Sequence, residues 1–332
     1  MKRIILAGGS GFLGRVLAER FLKANWDVVI LSRSPRQFGG VGRPVAWDAH
    51  TLGPWQRELE GATAVINLTG KSVNCRYHAR NRAEILDSRV NSTRVLGEAI
   101  GRCSNPPKVW LNASTATIYK HTFDGPWDEG GEVGASLEAK DDFSVDVARA
   151  WERTLDEART PGTRKVAMRM AMVLGKGENS VFPVLRRLAR LGLGGKMGNG
   201  RQFVSWIHEI DYCRAVEWLI THDDFQGAVN LASPNPLANH EMMRILRGVC
   251  RVRFGLPATT WMLEAGAFVL RTETELIIKS RRVVPRRLLE SGFRFRFNTI
   301  REAFEDLKYA KLLDKDPAGR QPFWNRLPFS DG

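Results

Sequence analysis

Short apolar runs alternate along the first half of the chain with longer stretches in which apolar residues recur every third or fourth position. Residues 3–7, containing Ile4-Ile5-Leu6-Ala7 and bounded by glycine, suit a buried strand. Residues 15–25 follow with Val16, Leu17, Phe21 and Leu22 at helical spacing, and a second run, Val28-Val29-Ile30-Leu31, opens at Asp27. Strand, glycine turn, helix and strand make a βαβ unit, with parallel strands and a right-handed crossover. Further strands are expected at 44–47, 64–68, 108–113 and 165–172, and helices at 85–100 and 143–158. This alternation predicts an α/β fold of Rossmann type, a doubly wound parallel sheet covered on both faces.

Beyond Gly175 the pattern changes. Five glycines fall within residues 192–200, which reads as a loop. Helical periodicity returns at 211–220, 239–249 and 257–270, and Thr299 with Glu302 forms a capping box opening a last helix through Leu313. The expected organisation is a nucleotide-binding domain at 1–175, to which the later chain returns at about 201–235. A smaller mixed α/β substrate-side and C-terminal domain occupies 176–316. A tail at 317–332, with little periodicity, wraps the surface or frays.

Chemistry enters at Gly8-x-x-Gly11-x-x-Gly14, placed directly after a strand and opening a helix. Glycine at these points permits a tight turn, close backbone approach to a pyrophosphate and close helix–strand packing, while the helix N-terminus offers free N–H groups, here from Phe12 and Leu13 onward. A dinucleotide site is therefore expected. An NAD site usually carries an acid at the end of the second strand, but this chain has Ser32-Arg33, with Arg36 close behind. A hydroxyl and guanidinium groups suit a 2′-phosphate, so NADP(H) is the expected cofactor. Ligands of such sheets lie at the carboxyl ends of the strands. There Asp48 faces either the adenine or only its own turn, Leu68-Thr69-Gly70 passes near the adenosine ribose, and Asn112-Ala113-Ser114-Thr115 ends beside the nicotinamide.

Composition is ordinary for a folded protein, 43% apolar and 26% charged over 332 residues. The longest nearly apolar stretch, residues 261–270, is about half of a membrane span. The start lacks the apolar run of a secretory signal. A cytoplasmic protein with no membrane partner is expected. Cys75, Cys103, Cys213 and Cys250 stand singly, without metal-ligand spacing, so neither disulfide nor metal is expected and the thiols should be reduced and buried. The net charge of +14 is uneven: residues 1–164 hold 23 basic against 19 acidic residues, and residues 165–332 hold 27 against 17. Nucleic acid, an acidic membrane surface or an anionic small molecule would each match such a charge, as would a merely solvated surface. No nucleic-acid motif accompanies it, and a solvated surface is the plainest reading of the charge; the expected partner is a small-molecule substrate, anionic if Lys196 and Arg201 clamp it, with a homodimer left open.

The run from Ala7 to Gly14 resembles the fingerprint of extended short-chain dehydrogenases/reductases. Three further segments are similar to an atypical branch of that superfamily, the "epimerase family" proteins: Ile85-Leu86-Asp87-Ser88-Arg89-Val90, the stretch from Gly192 through Gln202 into Ser205-Trp206-Ile207-His208, and Val283-Val284-Pro285-Arg286-Arg287-Leu288-Leu289. Members of the branch are named nucleoside-diphosphate-sugar epimerases, some as homologues of cell-division inhibitors. The resemblance runs to about residue 313 and implies a Rossmann domain for NADP(H), with a smaller domain closing over the substrate cleft.

The same resemblance exposes a departure. Superfamily members use Ser or Thr with a Tyr and Lys four residues apart. None of Tyr77, Tyr119, Tyr212 and Tyr309 has that lysine, and Ser144 and Ala148 stand at the two positions. Ser114 and Thr115 remain as hydroxyls beside the nicotinamide. Tyr119 either meets substrate or anchors its loop, and Arg169 reads as a brace for the fold. Arg89, where extended relatives tend to carry Asn, becomes a candidate for a cofactor or substrate phosphate, or for the missing positive charge. Lys196 and Arg201 are candidate clamps on an anionic substrate, and His208 is the candidate proton-transfer group on the segment that returns to the cleft in sugar-nucleotide relatives. Two readings follow: an NADP(H)-dependent oxidoreductase or epimerase of atypical chemistry, or a non-catalytic NADP(H)-sensing regulator.

Overall fold

The computed structural model describes residues 1–139, 141–177, 179–259, 262 and 279–313. Seven strands form one parallel sheet: β1 (Arg3–Ala7), β2 (Asp27–Ser32), β3 (Arg43–Ala46), β4 (Ala64–Asn67), β5 (Val109–Thr115), β6 (Arg164–Met170) and β10 (Gly227–Leu231). Their spatial order is β10-β6-β5-β4-β1-β2-β3, so chain direction across the sheet reverses between β1 and β4. That reversal opens the crevice in which ligands of such sheets lie. Ile4, Ile5, Leu6, Val29, Ile30, Val65, Ile66 and Leu111 are wholly buried. Burial on both sheet faces is why these strands read as continuous apolar runs.

Helices α1 (Phe12–Lys23) and α5 (Glu209–Thr221) pack on one face, and α2 (Ala79–Gly101) and α3 (Asp142–Glu157) on the other. Helix α2 begins six residues before its expected start. Its first turns are polar and invisible to apolar periodicity, and His78 Nδ1 accepts from the Asn81 N–H at 3.4 Å to cap it. Strand β5 runs two residues further than expected, so Ser114 and Thr115 are its last residues.

A second core gathers α4 (Val181–Arg190), α6 (Asn239–Cys250) and α8 (Ile300–Leu313) around Trp206, Phe182, Met243 and Phe304. Two small strand pairs accompany it: β7 (Met172–Leu174) with β9 (Trp206–His208), and β8 (Phe203–Val204) with β11 (Leu237–Ala238). The capping box forms reciprocally, with the Thr299 N–H donating to Glu302 and the Glu302 N–H to the Thr299 hydroxyl. The glycine-rich stretch 192–200 is a loop. The helix expected at 257–270 and the tail at 317–332 lie largely or wholly outside the described residues. Of the cysteines only Cys213 is buried, so the expectation of four buried thiols is corrected: Cys103 and Cys250, at or just past helix ends, pack only partly against the cores, and Cys75 lies in the loop before α2. All four are free thiols.

Residues 279–284 cross back from this second core to the sheet, ahead of a short helix α7 (Arg286–Glu290). The Trp127 N–H donates to the Arg282 carbonyl at 2.7 Å, the Val284 N–H returns to Trp127 at 2.9 Å, and Asn230 on β10 donates to the Val284 carbonyl. Lys279, fully buried, pairs with the equally buried Asp141 and donates to the Thr117 carbonyl at 2.6 Å. Asp211, at the start of α5, accepts the backbone N–H groups of Arg296 and Phe297.

Candidate functional site

The glycine loop separates two demands. Gly8 sits at φ +73°, and a side chain there would lie 2.8 Å from the Thr69 backbone nitrogen. Gly14 presses α1 onto the loop, since a Cβ would stand 2.7 Å from the Gly9 carbonyl. Gly11 has neither constraint. Its backbone is extended, and the nearest atom to an added Cβ is the Gly8 oxygen at 3.7 Å. The space beside it is open, at the start of a helix with no side-chain cap and no acid in its first turn. The N–H groups of Phe12, Leu13 and Gly14 find no acceptor among the described residues. An uncapped N-terminus with open space before it fits a pyrophosphate. The Phe12 ring itself turns the other way, onto Gly175 and Gly177, and Leu13 packs against the core.

At the end of β2, Ser32 is buried and its hydroxyl accepts the Ser34 N–H at 3.2 Å. Arg33 and Arg36 are exposed, and neither pairs with a carboxylate among the described residues. Asp48 lies in the turn after β3. It accepts the Thr51 hydroxyl and the His50 and Thr51 N–H groups at 2.5–2.8 Å, which hold its carboxyl down at about 2.

Beyond β4, the hydroxyl oxygen of Thr69 is buried without a partner among the described residues. Gly70 abuts the Arg89 guanidinium, 3.0 Å from where a Cβ would sit. Arg89 donates to the Lys71 and Ile85 carbonyls and lies 5.1 Å over the Trp151 ring. No carboxylate among the described residues pairs with it, and burial pulls its pKa down to about 10. A cation held in this way, with neutral oxygens as its only acceptors, is suited to an anion.

Deeper in the sheet, Asn67 and Asn112 face each other across β4 and β5, joined at 2.8 Å, and Trp151 donates to Thr93 beside them. At the end of β5, the buried Ser114 hydroxyl donates to Glu152. Glu152 also holds Arg169 by two bonds, at 2.9 and 2.7 Å. Arg169 donates to the Tyr119 hydroxyl at 2.9 Å, and that hydroxyl donates to Asn230 at 2.8 Å. Burial raises the Tyr119 pKa despite the guanidinium beside it. Tyr119 is thus saturated inside the fold, and Arg169 braces it. Thr115 is half-buried, and among the described residues its hydroxyl accepts only the Thr117 N–H. On α3, Ala148 is buried and Ser144 half-buried.

The structure brings the glycine loop, residues 68–70, Arg89 and the 114–115 pair together at the carboxyl edge of β1, β4 and β5. His208 is not open to that edge. It is wholly buried, stacked 3.9 Å from Phe297, with Nδ1 accepting the Ile210 N–H and Nε2 3.4 Å from Asp306. Burial opposes the Asp306 charge, yet the His208 ring holds its pKa below the usual range. Lys196 and Arg201 are exposed on the loop after α4, with the Arg201 guanidinium 5.8 Å over Phe123. Among the described residues no group of His, Cys, Asp and Glu could hold a metal ion, and no helix is long and apolar enough to cross a membrane. Sequence reasoning missed Glu152, Asn230 and Lys279. No local pattern marked them, since each is fixed by partners distant in sequence.

Comparison with known proteins gives this arrangement its relatives. A family described as NAD dependent epimerase/dehydratase matches residues 4–232, and a domain of unknown function matches residues 258–307. The Epimerase family protein YfhF of Bacillus subtilis is 29% identical over 305 residues, covering 92% of this chain and 97% of its own. The structure of human epimerase family protein SDR39U1 (isoform 2) with NADPH superposes with a TM-score of 0.80 at 25% identity, over 93% of this chain and 99% of the human one. The nucleoside-diphosphate sugar epimerase from Corynebacterium glutamicum superposes at 0.72 with 26% identity, over 93% of this chain and 58% of that one.

Proposed function

Because the chain belongs to the NAD dependent epimerase/dehydratase family, we propose that it is an atypical extended short-chain dehydrogenase/reductase that binds NADP(H) and acts on a small anionic or nucleotide-linked substrate. The observation that carries the cofactor reading is the open, uncapped start of α1 beside Gly11. The exposed Arg33 and Arg36, unpaired among the described residues, support the phosphorylated form. The human relative that superposes at 0.80 was solved with NADPH, which agrees with this choice.

On this reading residues 1–175 carry the cofactor and residues 176–316 close over the substrate. Phe12, Leu13 and Gly14 hold the pyrophosphate by backbone N–H groups, while Gly8 makes the turn and Gly11 leaves the room for it. Ser32, Arg33 and Arg36 hold the 2′-phosphate, and Thr69 and Gly70 line the adenosine side. Bound NADP(H) supplies or accepts a hydride. Thr115 is the better-placed hydroxyl to orient a substrate oxygen, because the Ser114 proton is already given to Glu152. Arg89 stabilises negative charge and cannot shuttle a proton, since guanidinium stays protonated at neutral pH. His208 acts here as a positioning residue that caps α5.

The regulatory alternative has its own support. Ala148 and Ser144 stand at the positions of the usual acid–base pair, and the Ser114 hydroxyl is engaged within the fold. Calorimetric titration with NADPH, NADP⁺ and NADH tests both readings. Tight binding of both phosphorylated forms with weak NADH supports the enzyme. Binding of one redox state alone supports the regulator, and binding of none removes the cofactor reading altogether.

A further inference from the structure

Two segments distant in sequence form one basic and apolar face. Residues 179–208 and 242–259 contain nine Lys and Arg residues and no Asp or Glu. Helices α4 and α6 pack side by side, and the loops that leave them are stitched together. The Leu256 N–H donates to the Gly192 carbonyl at 2.7 Å, the Gly195 N–H donates to Leu256, and Arg247 donates to the Gly194 carbonyl. The Phe254 ring lies over Gly192, 3.1 Å from where a Cβ would sit.

Apolar side chains stand outward on this ribbon: Phe254 is 67% exposed, Leu191 63%, Leu256 59% and Leu193 47%. Helix α4 continues the patch. Its core face is Phe182, Leu185 and Ala189, while Val184, Leu188 and Leu191, at i, i+4 and i+7, make a second apolar stripe turned away from that core. Arg187, Arg190, Arg251 and Arg253 are exposed around it, and none pairs with a carboxylate among the described residues. Apolar tips standing out of a predominantly basic surface, on which Arg244 alone of the nine cations pairs with a carboxylate among the described residues, Glu241, are not explained by the cofactor cleft.

We propose that this face docks the protein peripherally on an anionic lipid surface. Leu191, Leu193, Phe254 and Leu256 enter the headgroup–acyl boundary while the guanidinium groups pair with lipid phosphates. A peripheral contact needs no spanning helix, so the lack of an apolar run long enough to span does not bear on it. A second copy of the chain fits poorly, because a twofold contact would set these unpaired arginines against themselves. Single-stranded nucleic acid fits poorly too, since the protruding tips are aliphatic around one phenyl ring and offer no stacking platform.

The test is co-sedimentation of the full chain with phosphatidylcholine vesicles, with and without phosphatidylglycerol. Binding is expected only to the anionic vesicles. It should fall about tenfold in Phe254→Ser/Leu256→Ser, which keeps every charge, and in Arg187→Gln/Arg253→Gln, which keeps every apolar tip. Both pairs are exposed, so the thermal midpoint should hold; if the first variant misfolds, the second reads the same surface. Binding unchanged in the serine variant means charge adsorption alone and overturns the proposal. So does absence of vesicle binding, whether or not the patch instead proves to hold a second copy or an acidic protein.

Discussion

Glu152 grips Arg169 through two hydrogen bonds of 2.9 and 2.7 Å, in a place where both side chains are nearly dry. Helix α3 supplies the acid and strand β6 the base. With Ser114 and Tyr119 attached, the pair locks the end of β5 to both. Removing one partner leaves the other charged and unpaired. Arg169→Met is expected to lower unfolding free energy by about 3 kcal/mol. Urea denaturation measures it, and a loss under about 1 kcal/mol would show the bracing to be incidental.

The glycine loop predicts a dissociation between stability and binding. Gly14→Ala drives a methyl into the Gly9 carbonyl and should lower the thermal midpoint. Gly11→Ala meets open space at an ordinary φ and should leave it unchanged. Its methyl fills the room before the α1 N-terminus, so NADPH affinity should fall at least about tenfold. Equal affinity in Gly11→Ala and the parent protein would remove the pyrophosphate from this place.

Arg33→Ala/Arg36→Ala should cost NADPH about 10- to 100-fold in affinity and NADH almost nothing, because a charge-assisted bond to phosphate is worth about 1.5–3 kcal/mol. Parallel titrations of the two cofactors decide it. A similar loss for both would mean that the arginines act on something common to the two molecules.

Arg89→Met is predicted to weaken the anionic ligand of the cleft, cofactor or substrate, about tenfold. The guanidinium is charged at neutral pH even with its pKa drawn down to about 10, and it has no protein carboxylate among the described residues to satisfy. Affinity and turnover both unchanged would sink its role.

Acid stability carries the mark of Asp48. Its carboxyl is held at about 2 in the folded chain, against about 3.9 when unfolded. A depressed acid stabilises the fold above the unfolded value and loses that contribution as pH falls toward 2. Asp48→Ala should therefore lower the thermal midpoint modestly at pH 6, with the difference from the parent vanishing between about pH 4 and 2. The effect is small because the carboxylate is exposed. A difference that persisted below pH 2 would assign it to packing.

The sheet was legible because strands such as Ile4–Ala7 and Val28–Leu31 are buried on both faces and read as unbroken apolar runs. Strand β10, GAVNL, was not, since its glycine and Asn230 disguise the edge strand that pairs with β6. Helix α4 hid behind Pro183 and its second apolar stripe. The glycine loop could be placed to the residue, because its chemistry is local. The network around Ser114 could not: its bonds join residues 38 and 111 positions apart, and nothing in local spacing reports such pairings. His208 looked available as a titratable group, and Tyr119 as either a substrate contact or an anchor; burial engages both within the fold.

The return of residues 279–284 to the sheet has a consequence for synthesis on the ribosome. The Trp127 backbone and the Asn230 side-chain amide find partners in that late segment, and Asp141 waits for Lys279. The first half of the chain therefore emerges with the Asp141 carboxylate still lacking its cation and the Trp127 backbone groups still bare. It completes its folding after nearly the whole chain has been translated, which makes the interval between those two moments its period of greatest exposure to misassembly.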